Sequence, residues 1–294
     1  MIDPLLQRFE QPGIHLFERE NLTMLELSNT HGTAVVSTLG ATVISYVPTG
    51  EDEVIWVSDT ARYDGSKPIR GGIPVCWPWF GPHPSDPTLP THGFARRATW
   101  ELVDAEGGEH LSCAVLRLQS DATTASQWPW PFRLELELTL GQTLAIDLRA
   151  TNLSEETWTV SEALHSYFRV ANARSLPVAG LDGLHYWDKQ RDGLRGTQDT
   201  PLEIEPPFDR VYFGHENAAV IHDQGRDIRI GKSGSRSTVV WNPGPEGAAA
   251  LGDMPDDAWP QMLCVETANA RDDAYSLGPG QTHTLTANIA VSAS

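Results

Sequence analysis

The sequence is short of cysteine, of positive charge and of long apolar runs, and each shortage removes a class of protein. Cys76, Cys113 and Cys264 are the only cysteines in 294 residues. They form an odd set without C-x-x-C spacing, which argues against a disulfide framework and a zinc knuckle alike. No apolar run approaches the roughly 20 residues of a membrane span. The opening MIDPLLQRFEQPG has acids and a proline where a signal peptide needs basic and then apolar residues. A reducing cytoplasm is the expected location, with no membrane partner. The glycosylation sequons at Asn21 and Asn152 would then stay bare.

Basic residues are equally scarce. The balance of 21 Lys+Arg against 39 Asp+Glu leaves a net charge of −18, a field that repels nucleic acid and anionic surfaces. It repels small anions too, so a phosphorylated ligand would need a local arginine cluster. Solubility alone accounts for such acidity.

Familiar nucleotide and hydrolase signatures are missing as well. There is no G-x-G-x-x-G and no G-x-S-x-G. Ile230-Gly231-Lys232-Ser233 imitates the end of a phosphate loop, but Arg226 stands where the earlier glycine is needed. That segment reads as a surface hairpin tip. Ten histidines occur without H-E-x-x-H or H-x-H spacing, and His83, His92 and His165 are far apart. No metal is expected. His15, His110, His222 and His283 read as ordinary surface residues.

What is present is alternation. From Phe132 to Leu140 every even position is apolar and every odd one polar. Gly141-Gln142 turns the chain, and Leu144, Ile146 and Leu148 resume the pattern, which predicts a hairpin. Further strands are predicted at 22–27, 33–47 (broken at Gly40), 53–57, 99–103, 111–118 and 157–170. Others follow at 218–222, 227–230, 238–241, 262–266 and 284–291. No segment of helical length carries a helical apolar stripe; 123–127 and 255–259 are the best short candidates. No linker or repeat divides the chain. The expectation is one all-β domain over 1–294, a large antiparallel sandwich. Pro/Gly-rich connections at 68–90 and 243–260 are long enough to suggest function.

Four segments concentrate chemistry. PIRGGIPVCWPWFGP (68–82) joins Arg70 to flat tryptophan surface, suited to a sugar ring, although a tryptophan plug in a core would look the same. THGFAR (91–96) sets His92 and Arg96 about a glycine that permits close backbone approach. In SEALHSYFRV (161–170) alternation puts His165 mid-strand on a face with Ser161 and Tyr167, able to donate a proton near neutral pH. In MLCVETAN (262–269) Glu266 closes an apolar strand, where burial would raise its pKa toward that of a base. Singly, each also fits a bland reading: a histidine held within a sheet, or a charge on a rim.

As an ordered set, PIRGGIPVCWPWFGP, HGFAR, ALHSYF, FDRVY, VVWNP and VETAN resembles the hexose-6-phosphate 1-epimerases of the galactose mutarotase-like superfamily. The resemblance spans roughly residues 20 to 290. It implies a β-supersandwich with its site on an open concave sheet, and a cofactor-free interconversion of the α and β anomers of a sugar phosphate. By resemblance His165 is the general acid and Glu266 the general base. Arg70 and Arg96 would hold the substrate and its phosphate, Asp209 a sugar hydroxyl, and His92 would line the pocket. Relatives often carry Gln before that histidine, where this chain has Thr91. A monomer is expected. The competing readings are an epimerase of unphosphorylated aldoses, a non-catalytic sugar-binding module, and a two-carboxylate glycosidase; no second buried acid is evident for the last.

Overall fold

The computed structural model describes residues 5–294. Alternation becomes pairing: every ladder between strands is antiparallel. Two large sheets, of nine and eight strands, carry the architecture. A four-stranded meander over Ile14–Pro48 and a two-stranded ribbon, Trp158–Val160 with Tyr275–Leu277, complete it.

The predicted hairpin lies inside the nine-stranded sheet as Phe132–Leu140 and Leu144–Asn152. Leu134, Leu136, Leu138, Leu140, Leu144, Ile146 and Leu148 are fully buried. Burying each such side chain is worth roughly 1.5–3 kcal/mol. Between them Glu135 and Glu137 turn outward to meet Arg117 and Arg149. One face is core and the other is charge.

The eight-stranded sheet runs, edge to edge, through Leu194–Thr197, His185–Asp188, Phe208–Phe213, Ser237–Asn242, Met262–Asn269, Glu162–Leu164 and Val75–Cys76. The short strand Tyr167–Arg169 continues the pairing of Glu162–Leu164 along Met262–Asn269. Inward-facing Tyr212, Val240, Val265 and Leu164 join the leucines of the other sheet in one core. Met262–Asn269 is buried at all its positions, as befits a strand covered on both faces. Its outer face carries Glu266, and its inner face Thr267 and Asn269.

Several sequence expectations change in detail. Residues 157–170 form three short strands rather than one, and 53–57 makes only isolated bridges at Ile55 and Val57. The supposed loop 243–260 contains the α-helix Gly244–Leu251, whose run of Gly and Ala gives no amphipathic stripe. The candidate helices are 3₁₀ turns at Thr124–Ser126 and Trp259–Gln261. Gly231-Lys232-Ser233 is not a hairpin tip. It ends the strand Arg226–Ser233, and Lys232 Nζ turns between the sheets to donate to Ser237 O at 2.6 Å and Thr238 Oγ1 at 2.8 Å. His283 is half-buried against Tyr275, with ring centroids 3.9 Å apart. Among the described residues no helix is long and apolar enough to cross a membrane.

Candidate active site

The register of two strands creates the centre of the site. Leu164 pairs with Thr267, and Tyr167 with Cys264. His165 therefore falls opposite Glu266, on the same face of the sheet. Strand pairing lapses at His165-Ser166: Ser166 N–H donates back to Leu164 O, and His165 N–H to Pro74 O. His165 thus sits at a kink rather than mid-strand, its Nδ1 3.4 Å from Glu266 Oε1.

Neither group has easy access to water. Glu266 is 1% exposed, and its Oε2 has no hydrogen-bond partner. Burial, reinforced by Asp209, holds its pKa well above the usual carboxylate range against the opposing charges of Arg96 and Lys189. Burial and then the charges of Arg96 and Arg70 push His165 down to about 3. Both shifts favour the neutral form of the pair, carboxyl and imidazole, over the ionised one.

Aromatic rings fix the imidazole. Tyr167, two residues on, lies parallel to it with centroids 4.8 Å apart, and Trp241 meets both rings edge-on at 6.0 and 5.9 Å. His92 meets the imidazole edge-on at 5.6 Å. His92 has φ +66° and is followed by Gly93 at φ +69°. A Cβ at Gly93 would lie 2.0 Å from Trp77 O, so only glycine lets this loop close. The same carbonyl accepts from Phe94 and Ala95 N–H, which carries Arg96 toward the pair.

The remaining site residues converge from separate strands. Asp209 aligns with Trp241, and Trp241 with Cys264, which places the carboxylate in the row beside Tyr167. It is 9% exposed, and Lys189 Nζ lies 3.2 Å from its Oδ2. Burial raises its pKa, while Lys189 opposes the rise. Arg70 donates through Nη1 to the Tyr167 hydroxyl at 3.3 Å. Arg96 donates from Nη2 to Thr91 O at 2.9 Å. All six residues singled out in the sequence thus border one face. Tyr167, Trp241, Lys189 and Asp253 join them; only the first two stood in recognisable motifs.

His165, Cys264 and Glu266 bring ligand atoms within 4.8 Å of one another. Charge opposes a cation there, because the field of Arg96 reaches both His165 and Glu266. Burial pushes the Cys264 thiol well up, away from the thiolate a metal needs.

Residues 23–290 match the family model for aldose 1-epimerase. The chain belongs to the aldose 1-epimerase family. As such it is an isomerase, a mutarotase. Proteins of Salmonella typhimurium and Escherichia coli named "Putative glucose-6-phosphate 1-epimerase" are each 35% identical to it. The first aligns over 88% of this chain and 87% of its own, the second over 92% and 90%. The crystal structure of YeaD from Salmonella typhimurium superposes with a TM-score of 0.90 at 32% identity, covering 97% of this chain and 95% of that one. Galactose 1-epimerase from Lactobacillus acidophilus shares the fold, with a TM-score of 0.75 at 14% identity over 95% and 98%. The β-sandwich and the mutarotase class read from the sequence both hold.

The sequence reading did not single out the buried acids Glu162, Asp188 and Asp223. Glu162, 0% exposed, lies on the inner side of the same sheet, and burial pushes its pKa up to about 8. It aligns with Asn269, while Glu266 projects from the opposite face of that strand. Sheet geometry thus keeps the two carboxylates from flanking one glycosidic bond.

Proposed function

We propose that the chain interconverts the α and β anomers of a hexose 6-phosphate, glucose 6-phosphate foremost, with Glu266 as base and His165 as acid. The observation that carries this reading is the 3.4 Å pairing of His165 and Glu266 beneath two arginines. Ring opening starts from the ionised form of the pair, carboxylate and imidazolium, which has the same proton count as the neutral form, carboxyl and imidazole. Glu266 takes the proton of the anomeric hydroxyl as the C1–O1 bond becomes a carbonyl. The C1–O5 bond breaks toward O5, which takes a proton from His165. The enzyme is left with a neutral carboxyl and a neutral imidazole.

Rotation about C1–C2 presents the other carbonyl face, and the reverse transfers close the ring. Nothing is oxidised, and the protons balance over the cycle. Each positioned acid or base supplies roughly 10²–10⁴-fold, enough for a reaction that already proceeds in water. The residues perform this chemistry without a metal or nucleotide.

The phosphosugar preference draws on the arginines and on the names of the two relatives. Asp209 would accept from a sugar hydroxyl, and Trp241 and Tyr167 offer ring faces for stacking. Anomer exchange measured with glucose 6-phosphate and with glucose tests the preference. A clearly higher kcat/KM for the phosphate ester supports it, and equal values contradict it.

A further inference from the structure

The two arginines of the site differ in what surrounds them. Arg70 is committed: Nε donates to Asp253 Oδ1 at 2.8 Å, Nη2 to Asp253 Oδ2 at 3.3 Å, and Nη1 to the Tyr167 hydroxyl. This is a two-point fork on a carboxylate, the strong arrangement for a guanidinium. Side chains of the pair are only 22% and 14% exposed. Ser58 secures both backbones, its N–H donating to Arg70 O at 3.0 Å and its Oγ to Asp253 O at 2.8 Å.

Arg96 is the opposite case. Among the described residues no carboxylate lies within ion-pair distance of it. Its one hydrogen bond is to the Thr91 carbonyl, and its buried Nε has no partner. Lys189, the third cation of the site, is paired with Asp209. A dianion entering the site therefore meets uncompensated positive charge at Arg96.

We propose that Asp253 is a positioning residue that neutralises and locks Arg70, so that Arg70 serves Tyr167 and His165 while Arg96 receives the phosphate. The proposal rests on the phosphosugar reading above. Its path is short. Arg70 holds the Tyr167 hydroxyl, and the Tyr167 ring, backed by Trp56 at 5.9 Å, lies parallel to the imidazole within 10°. Loss of the Asp253 charge frees Arg70 as a second anion receptor and loosens the ring under the acid.

Calorimetric titration with inorganic phosphate, together with kcat and KM for glucose 6-phosphate, tests this on the full chain. Arg96→Gln is expected to weaken phosphate binding by about tenfold or more, since it removes a charge-assisted fork. Asp253→Asn is expected to tighten phosphate binding by about threefold and to lower kcat about tenfold, without raising KM. Asp253→Glu, which keeps the charge, should bring kcat back to within about threefold of wild type. Weaker phosphate binding by Asp253→Asn, or a raised KM with kcat intact, overturns the proposal. So does an Arg70→Gln variant that loses as much phosphate affinity as Arg96→Gln. Phosphate binding needs no turnover, so a chain that fails to exchange anomers defeats the enzymic reading while the titration still decides this one.

Discussion

His165 and Glu266 occupy facing positions on two antiparallel stretches of chain, and the 3.4 Å between Nδ1 and Oε1 follows from that register. An acid and a base held this close can act on both oxygens of one anomeric centre.

Because the two groups act as a unit, their losses should not add. His165→Gln and Glu266→Gln are each expected to lower kcat by roughly 10²–10⁴-fold, and the double variant by little more than the worse single one. Progress curves of anomer exchange for the three proteins measure this. Full multiplicativity would mean the residues act independently.

Glu162 has a different signature, in stability. Its folded-state pKa of about 8 stands above the ordinary carboxylate value, so between those values the folded chain binds more protons than the unfolded one. Its stabilising contribution is complete at acidic pH below the unfolded value and is lost as pH rises toward 8. At about 1.4 kcal/mol per pKa unit the swing is a few kcal/mol. Denaturant titrations from pH 5 to pH 8.5 should show Glu162→Gln falling less steeply than wild type. Parallel curves would place the carboxyl in a better-solvated setting.

Gly93→Ala is expected to destabilise the fold by about 3 kcal/mol, through both its positive φ and the Trp77 carbonyl in the way of a Cβ. Activity should fall further than stability alone explains, because His92 and Arg96 flank the glycine. A melting temperature within a degree of wild type would contradict the close approach.

Most of the fold was legible because period-2 alternation encodes a half-buried strand directly, as in Phe132–Leu140. Strands without clean alternation were harder. His185–Asp188 and Phe208–Phe213 carry charges such as Asp188 and Arg210 inward, where they bond each other, and so break the apolar pattern. Lys232 looked like a turn residue because its two carbonyl and hydroxyl partners come from the next strand. At the site, motifs identified Arg70, His92, Arg96, His165, Asp209 and Glu266. The pairing of Arg70 with Asp253 spans 183 positions, and no local pattern announces a contact of that kind.

The most direct test of the central claim is saturation-transfer NMR of glucose 6-phosphate, following magnetisation between its α and β anomeric protons. With wild-type chain the account predicts exchange well above the buffer rate, and with His165→Gln a return nearly to that rate. Exchange no faster than in buffer with the wild-type protein, or undiminished exchange with the variant, would contradict it.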